Sequence, residues 1–447
     1  MNVKKQVFLV LGVSKSGYSA TKYILENGAK CYIFEDFSSE KVNLAIEELK
    51  TSGAIFITRE NIDEIIKEID VLVISPGVKI THDVAVKAKA RGKRIISEFE
   101  FGYFSLIPEF IAVTGTNGKT TTVNLINEIY KRAQINTELI GNVGTPISER
   151  IKEISKDTVC IAEISSFQLE STASFCPHIA CVLNVAPDHL ERHFNMDNYV
   201  FLKKRIFKNQ KESEYTVLNF DDQTVRSFYT ETKAKVVWVS KTEKVDGAYC
   251  ENGKIYFRDE FILNENNLSI KGKHNLENAL FAVAVAKIDD IPNEIIASSL
   301  SEFKGVEHRI QLIDKISGVS FYNDSKSTNT ASCVSALESV NGPIILLLGG
   351  KDKGEKFDDL MEKIKTRPVK HLVIYGESRR KISECAINHG LNDVTVTSKF
   401  DTALKISAIL SCAGDNVLLS PACSSYDEFS GFEERGKKFC EFVESLK

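Results

Sequence analysis

The stretch Ile111-Ala112-Val113-Thr114-Gly115-Thr116-Asn117-Gly118-Lys119-Thr120-Thr121-Thr122 decides the reading of this chain. A short apolar run meets a glycine turn, then a lysine, then hydroxyls that open a helix. Glycine lets the backbone curl until several N–H groups face one point. The start of a helix adds a partial positive charge there. Lys119 can reach the terminal phosphates of a nucleoside triphosphate, and the Thr120 hydroxyl suits Mg²⁺. The cradle is then the backbone of Gly115, Thr116, Asn117 and Gly118, with Thr120 and Thr121 at the helix mouth. Two residues separate the glycines, where the standard P-loop has four. An ordinary strand–turn–helix corner is the alternative.

Outward from this point the 447 residues fall into three sections, placed at 1–97, 98–305 and 306–447. In the first, apolar runs at Val7–Val13, Lys30–Phe34, Ala54–Ile57, Val71–Ser75 and Arg94–Ser97 alternate with amphipathic stretches. That βαβ rhythm predicts a parallel sheet. The second continues from the phosphate strand with buried strands at Thr158–Ile164, His178–Val185 and Tyr215–Asn219. A polar β-rich stretch follows, with hairpin signals at Asp246-Gly247 and Asn252-Gly253. A helix is expected from near Asn275 to Lys287. The third section is again βαβ-like, with strands Ile344–Leu348, His371–Tyr375 and Val417–Ser420. Ligands of open α/β sheets bind beyond the carboxyl ends of the strands. All three sections place Gly, Ser, Asp and Asn there, so one shared cleft is expected.

The composition is that of a globular chain: 43% hydrophobic, 26% charged, net charge −4. It gives no sign of nucleic-acid binding. No apolar run approaches the roughly 20 residues that span a bilayer. The apolar stretch after Met1-Asn2-Val3-Lys4-Lys5 ends in a glycine turn and reads as a first strand rather than a signal segment. The ten cysteines form no C-x-x-C pair, and buried reduced thiols are expected.

Several constellations carry chemistry. Glu163 ends an apolar strand and precedes Ile164-Ser165-Ser166-Phe167-Gln168-Leu169-Glu170; an acid so placed near a phosphate loop holds Mg²⁺ in many nucleotide enzymes. A solvated carboxylate is the plainer reading. The next strand ends at Asn184-Val185-Ala186-Pro187-Asp188-His189, where His189 is either a neutral imidazole ligand or a structural histidine. Tyr199 through Phe207 reads as a basic helix. Asn275 and Asn278, one helical turn apart, either read a purine edge or cap a helix. Tyr322-Asn323-Asp324-Ser325-Lys326-Ser327-Thr328-Asn329 and Ser420-Pro421-Ala422-Cys423-Ser424-Ser425 are polar strand-end loops suited to a small anion.

Together these motifs resemble the Mur ligase family of ATP-dependent amide ligases, over essentially the whole chain. Within it they resemble the branch that adds D-glutamate to UDP-N-acetylmuramoyl-L-alanine. The stretches from Glu163 to Glu170, from Asn323 to Asn329, and from Ser420 through Phe432-Glu433-Glu434-Arg435-Gly436 carry that likeness. The resemblance implies three α/β domains: a Rossmann-like N-terminal domain for the UDP end, a central P-loop ATPase-type domain, and a Rossmann-like C-terminal domain for the amino acid. It implies that Lys119 and the loop amides hold ATP, while Thr120 and Glu163 coordinate one Mg²⁺. His189 and a carbamylated Lys203 would serve a second. Asn275 and Asn278 would face the adenine, with Arg309 and Asp324 near the ribose and phosphates. Lys326, Thr328, Ser424, Ser425 and Phe432 would surround D-glutamate. Ser14, Lys15, Ser16, Glu35 and Gly77, with Asn142 and Ser165, match the region for the UDP-sugar. Glu35-Asp36-Phe37 departs from the family's Asp-Thr-Arg form.

The reaction so implied is phosphorylation of the substrate carboxylate to an acyl phosphate. Attack by the D-glutamate amine then releases phosphate, with domain closure excluding water. The implied setting is peptidoglycan synthesis in a bacterial cytoplasm, by a monomer with no nucleic-acid or membrane partner. A folate polyglutamate ligase, another Mur-type ligase and a regulatory nucleotide-binding protein are the alternatives. A nicotinamide oxidoreductase is disfavoured because the first turn lacks G-x-G-x-x-G.

Overall fold

Near-continuous apolar runs build the first sheet. β1 (Val7–Leu11), β2 (Lys30–Phe34), β3 (Ile55–Phe56), β4 (Val71–Ile74) and β5 (Arg94–Ser97) run parallel in the order β3-β2-β1-β4-β5. Both faces are buried, as a parallel sheet covered by helices requires. Phe8, Val10, Ile33 and Val73 pack on one side; Leu9, Leu11, Tyr32 and Leu72 pack on the other. Each such side chain contributes about 1.5–3 kcal/mol by leaving water. The order reverses between β1 and β4, which opens a crevice at their carboxyl ends. There the Ser75 hydroxyl donates to Gly12 O at 2.8 Å. Gly17 is forced by contact: a Cβ on it would stand 1.8 Å from Gly12 O.

The computed structural model describes residues 2–106, 108–142, 145–352, 354 and 356–447. Its second sheet contains β6 (Phe110–Thr114), β7 (Thr137–Gly141), β8 (Val159–Glu163), β9 (Ile179–Val182), β10 (Tyr215–Asn219), β11 (Lys235–Ser240), β12 (Gly247–Glu251), β13 (Lys254–Phe257) and β14 (Glu260–Asn264). The order is β14-β13-β12-β11-β10-β9-β6-β8-β7. Strands β6 to β12 are parallel, and β13 and β14 continue antiparallel.

One hairpin signal holds and one does not. Asn252 and Gly253 take φ of 51° and 71° and turn β12 into β13, as the type I′ pattern demands. Asp246-Gly247 makes no hairpin, because β11 and β12 are parallel. Gly247 serves close strand contact instead: a Cβ there would lie 2.0 Å from Trp238 O. The helix expected from Asn275 starts at Lys273 and ends at Ile288, and residues 276–286 are all buried.

The third sheet contains β15 (Gln311–Ile316), β16 (Val319–Asn323), β17 (Ile344–Gly349), β18 (Val369–Tyr375), β19 (Val394–Val396) and β20 (Asn416–Leu419), in the order β15-β16-β20-β17-β18-β19. Only the edge pair β15–β16 is antiparallel. The architecture is therefore three α/β domains. The first two sheets lie in one compact unit; the third lies in a second, which starts at Lys304 and takes in residues 269–274. No helix among the described residues is long and apolar enough to cross a membrane. All ten cysteines are free thiols, and Cys412 is exposed where burial was expected.

Candidate active site

β6 pairs with β8 on one side and β9 on the other, all parallel, so the three loops that follow them open at one edge. The loop after β6 is braced by the loop after β9. Asn184 O accepts the Thr116 N–H at 3.0 Å, and Asn184 Oδ1 accepts the Asn117 N–H at 2.9 Å. Lys119 Nζ folds back onto Gly115 O (2.9 Å) and Thr116 O (2.7 Å). Gly118 takes φ +86°, and a Cβ there would lie 2.3 Å from Asn278 Oδ1. Both its conformation and its space exclude a side chain.

Asn278 accepts from Thr122 Oγ1 at 3.3 Å and donates to Asn275 Oδ1 at 3.2 Å. The amide pair thus joins its helix to the cradle. That helix begins at Lys273, so Asn275 and Asn278 lie within its first two turns. Thr121 Oγ1 is buried with no hydrogen-bond partner, an orphaned hydroxyl of the kind a bound ligand satisfies.

Glu163, at the end of β8, is 2% exposed. Its carboxylate accepts from Thr120 Oγ1 at 2.7 Å and from Asn142 Nδ2 at 2.8 Å. Asn142, expected with the UDP-sugar group, is thus placed beside the Thr120–Glu163 pair. The donors on offer are oxygens, the type a hard cation such as Mg²⁺ takes.

The loop after β9 carries Asp188 and His189. His189 stands at φ 54°, with Nε2 3.5 Å from Asp188 Oδ2 and its ring 4.9 Å from that of Phe167. The helix Met196–Lys204 then buries Tyr199 and Lys203. Lys203 is 1% exposed, and its Nζ lies 4.5 Å from the Tyr199 ring centroid. Burial first, then the charge of Lys119, hold its ammonium well below the usual lysine range, against the opposing pull of Asp188. Only the neutral amine is nucleophilic, and burial favours that form. The Tyr199 hydroxyl lies 3.2 Å from Thr116 Oγ1, which joins this helix to the cradle.

Arg192 was not anticipated from the sequence. Its guanidinium grips Glu170 twice, at 2.9 and 2.6 Å. It also donates to Pro76 O at 2.8 Å and Val78 O at 2.9 Å, and lies 4.1 Å over the Phe167 ring. It therefore ties the loop after β4, which holds Gly77, to the segments that carry Glu163 and His189. Its one sequence signal is its place between His189 and His193.

At the first sheet, Ser14 precedes the helix Lys15–Glu26, which contains Ser16. Glu35 accepts the Val13 and Phe37 N–H groups at 2.8 and 2.9 Å, so both oxygens already bind backbone. Ser165 closes a capping box with Gln168.

In the second unit, the loops after β16 and β20 are held together by Arg435, which is fully buried. It donates to Ser325 Oγ (3.0 Å), Ser325 O (2.8 Å), Cys423 O (3.1 Å) and Ser424 O (3.3 Å). Asp324 is 1% exposed and accepts from Ser420 Oγ at 2.7 Å and from the Ile310 N–H at 3.2 Å. Burial pushes its carboxyl up to about 6 against the pull of Arg309. Lys326 Nζ stands 4.9 Å over the Phe432 ring, and Ser424 Oγ donates to Lys351 O at 3.0 Å. Ser425 is buried and Thr328 half-buried in the same two loops.

Comparison with known proteins gives consistent matches along the chain. Residues 6–97 match the N-terminal domain of Mur ligases like the D-glutamate-adding enzyme, residues 113–286 the Mur ligase middle domain, and residues 308–423 the Mur ligase glutamate ligase domain. The chain is 41% identical to a UDP-N-acetylmuramoylalanine–D-glutamate ligase of Clostridioides difficile strain 630, covering all of both chains. It is 39% identical to the ligase of the same name from a Thermoanaerobacter species, again over all of both chains. Among solved structures it is similar in fold to a UDP-N-acetylmuramate–alanine ligase of Thermotoga maritima. That match has a TM-score of 0.64 at 16% identity and covers 99% of this chain and all of the other.

Proposed function

The chain belongs to the Mur ligase family, and on that premise we propose that it joins D-glutamate to UDP-N-acetylmuramoyl-L-alanine, driven by ATP, in peptidoglycan precursor synthesis. The full-length relatives bearing that name support the substrates. One observation carries the chemistry: Thr120 and Glu163, 2.7 Å apart, stand at the mouth of a backbone cradle that also holds Lys119.

A carboxylate resists amines because its leaving group would be oxide. Attack of a carboxylate oxygen of the muramoyl-L-alanine substrate on the γ-phosphorus breaks the bond to ADP and gives an acyl phosphate. The D-glutamate amine then attacks the acyl carbon, loses a proton, and phosphate departs. Lys119 and the N–H groups of the cradle that Asn184 does not already take hold the phosphates through these steps. Asn275 and Asn278 face the adenine.

Thr120 and Glu163 would hold one Mg²⁺, and His189 with a carbamylated Lys203 would hold a second. When bound there they spread the negative charge of the transferring phosphoryl group. The neutral amine of Lys203 adds to CO₂: an N–C bond forms, a proton leaves, and the anionic carbamate offers oxygen to a hard cation.

We assign residues 1–97 to the UDP-substrate, through the loops of Ser14, Lys15, Ser16 and Gly77 with Glu35, Asn142 and Ser165. Residues 98–305 take ATP. Residues 306–447 take D-glutamate through Lys326, Thr328, Ser424, Ser425 and Phe432, with Arg309 and Asp324 supporting the nucleotide. The enzyme so read is a cytoplasmic monomer.

The test uses UDP-N-acetylmuramoyl-L-alanine labelled with ¹⁸O in its carboxylate. One labelled oxygen should appear in the released phosphate. Phosphate that stays unlabelled through complete turnover would overturn the acyl phosphate.

A further inference from the structure

Away from the strand-end loops, two helices of the second unit bring four metal-binding groups together. The helix Asp358–Lys365 carries Asp358 and Glu362. The helix Arg379–Asn388, capped by His389, carries Cys385. Members of each pair are four residues apart and so share one helical face. Asp358, Cys385 and His389 each offer a donor atom within 4.8 Å of the others. His389 Nε2 lies 3.8 Å from both Asp358 Oδ1 and Glu362 Oε1, and Cys385 Sγ lies 3.8 Å from His389 Nδ1. Tetrahedral ligands at zinc-type bond lengths stand roughly 3.3–3.8 Å apart; the two carboxylates already stand so from Nε2, and Cys385 Sγ, beside Nδ1, has to turn about its Cα–Cβ bond to the Nε2 edge to complete the set.

The ring orientation is a separate pointer. His389 Nδ1 lies 2.8 Å from the Cys385 carbonyl oxygen. A carbonyl carries no proton, so Nδ1–H is the donor and Nε2 faces the carboxylates. Metal-ligating histidines are oriented by such a bond. Two carboxylates facing Nε2 suit a proton there or a metal ion. The thiol decides between them: it adds nothing to an ion pair, whereas a thiolate is a strong ligand for a borderline-soft cation.

We propose that Asp358, Cys385 and His389, with Glu362 in the outermost position, form a transition-metal site of the zinc class that pins the two helices together. Glu362 also holds Lys365 at 2.8 Å, and Lys381, on the Cys385 helix, pairs with Asp352 at 2.6 Å, so both neighbouring lysines are engaged. The mixed sulfur, nitrogen and oxygen donors disfavour Mg²⁺, which keeps this site separate from the ATP site. Binding breaks the Cys385 S–H bond, forms a sulfur–metal bond and sends the proton to solvent. Because the ligand is the thiolate, affinity rises with pH.

The test titrates Co²⁺ into metal-stripped, full-length protein with Mg²⁺ in excess. One equivalent should bind, with a thiolate-to-cobalt charge-transfer absorption in the near ultraviolet that Zn²⁺ displaces. Cys385→Ser should abolish that absorption, and His389→Gln should weaken binding by about tenfold or more. Cys412→Ser, at an exposed thiol elsewhere, should keep it. Absence of the absorption in the wild type, or its survival in Cys385→Ser, would overturn the site. Asp358→Asn, at an exposed position, gives an independent arm: it should weaken Co²⁺ while ligase activity holds, and unchanged Co²⁺ affinity would count against the proposal.

Discussion

Replacing Arg192 with methionine should separate what holds the UDP-substrate from what holds ATP. The guanidinium is 7% exposed and Glu170 is 10% exposed, so the substitution strands a buried carboxylate. Breaking a buried pair from one side costs about 3–5 kcal/mol. Two more donors vanish from Pro76 O and Val78 O, which frees the loop that carries Gly77. A displacement of that loop worth about 1.4 kcal/mol would raise KM for the UDP-substrate roughly tenfold. KM for ATP should hold, because the cradle is braced by Asn184 and Asn278 instead. Trp238, the one tryptophan, sits on β11 in the same compact unit, so its fluorescence in urea follows the unfolding that matters. Glu170→Gln with Arg192→Met removes the stranded charge and should recover about 2 kcal/mol relative to Arg192→Met alone. A stability loss below about 1 kcal/mol, or a rise in KM for ATP with none for the UDP-substrate, would refute this role for Arg192.

Lys119→Ala should abolish turnover yet leave the melting temperature within a few degrees, because Nζ bonds only loop carbonyls among the contacts described above; calorimetry beside the ligase assay checks both. Lys203→Ala should lower kcat on the order of 10²-fold or more, with partial recovery in added formate or acetate, and wild-type activity would remove the carbamate. Glu98 is buried against the Ser148 N–H (2.8 Å) and Oγ (2.5 Å), and burial raises its carboxyl to about 7 from 4.5. Its folded pKa lies above the unfolded value, so its stabilising effect is complete below 4.5 and fades as pH rises through 7, by about 3 kcal/mol. Urea titrations at pH 5 and 8 should show that loss in the wild type and not in Glu98→Gln.

Much of the fold was legible because parallel strands buried on both faces must be written as apolar runs. β6 and β8 announce themselves that way. β7 was missed: of Thr137–Gly141 only Ile140 is buried, so an edge strand left no hydrophobic pattern. Asp246-Gly247 misled because a glycine for a turn and a glycine for close strand contact look alike until the partner strand is known. The strand–glycine–lysine corner and the place of Glu163 at a strand end were readable from local order. The contacts of Arg192 and Arg435 were not, since their partners lie far along the chain: Pro76 is 116 residues from Arg192, and Ser325 is 110 from Arg435. Buried arginines that bind carbonyls carry no local signature. The burial of Lys203 left no local signature either, because it is set by packing from other segments.

Phosphate release from ATP, measured with each acceptor omitted in turn, tests the central claim most directly. Release should require UDP-N-acetylmuramoyl-L-alanine and D-glutamate together, with one amide product formed per phosphate. Sustained release that ignores D-glutamate, or no release with both present and Mg²⁺ supplied, would contradict it.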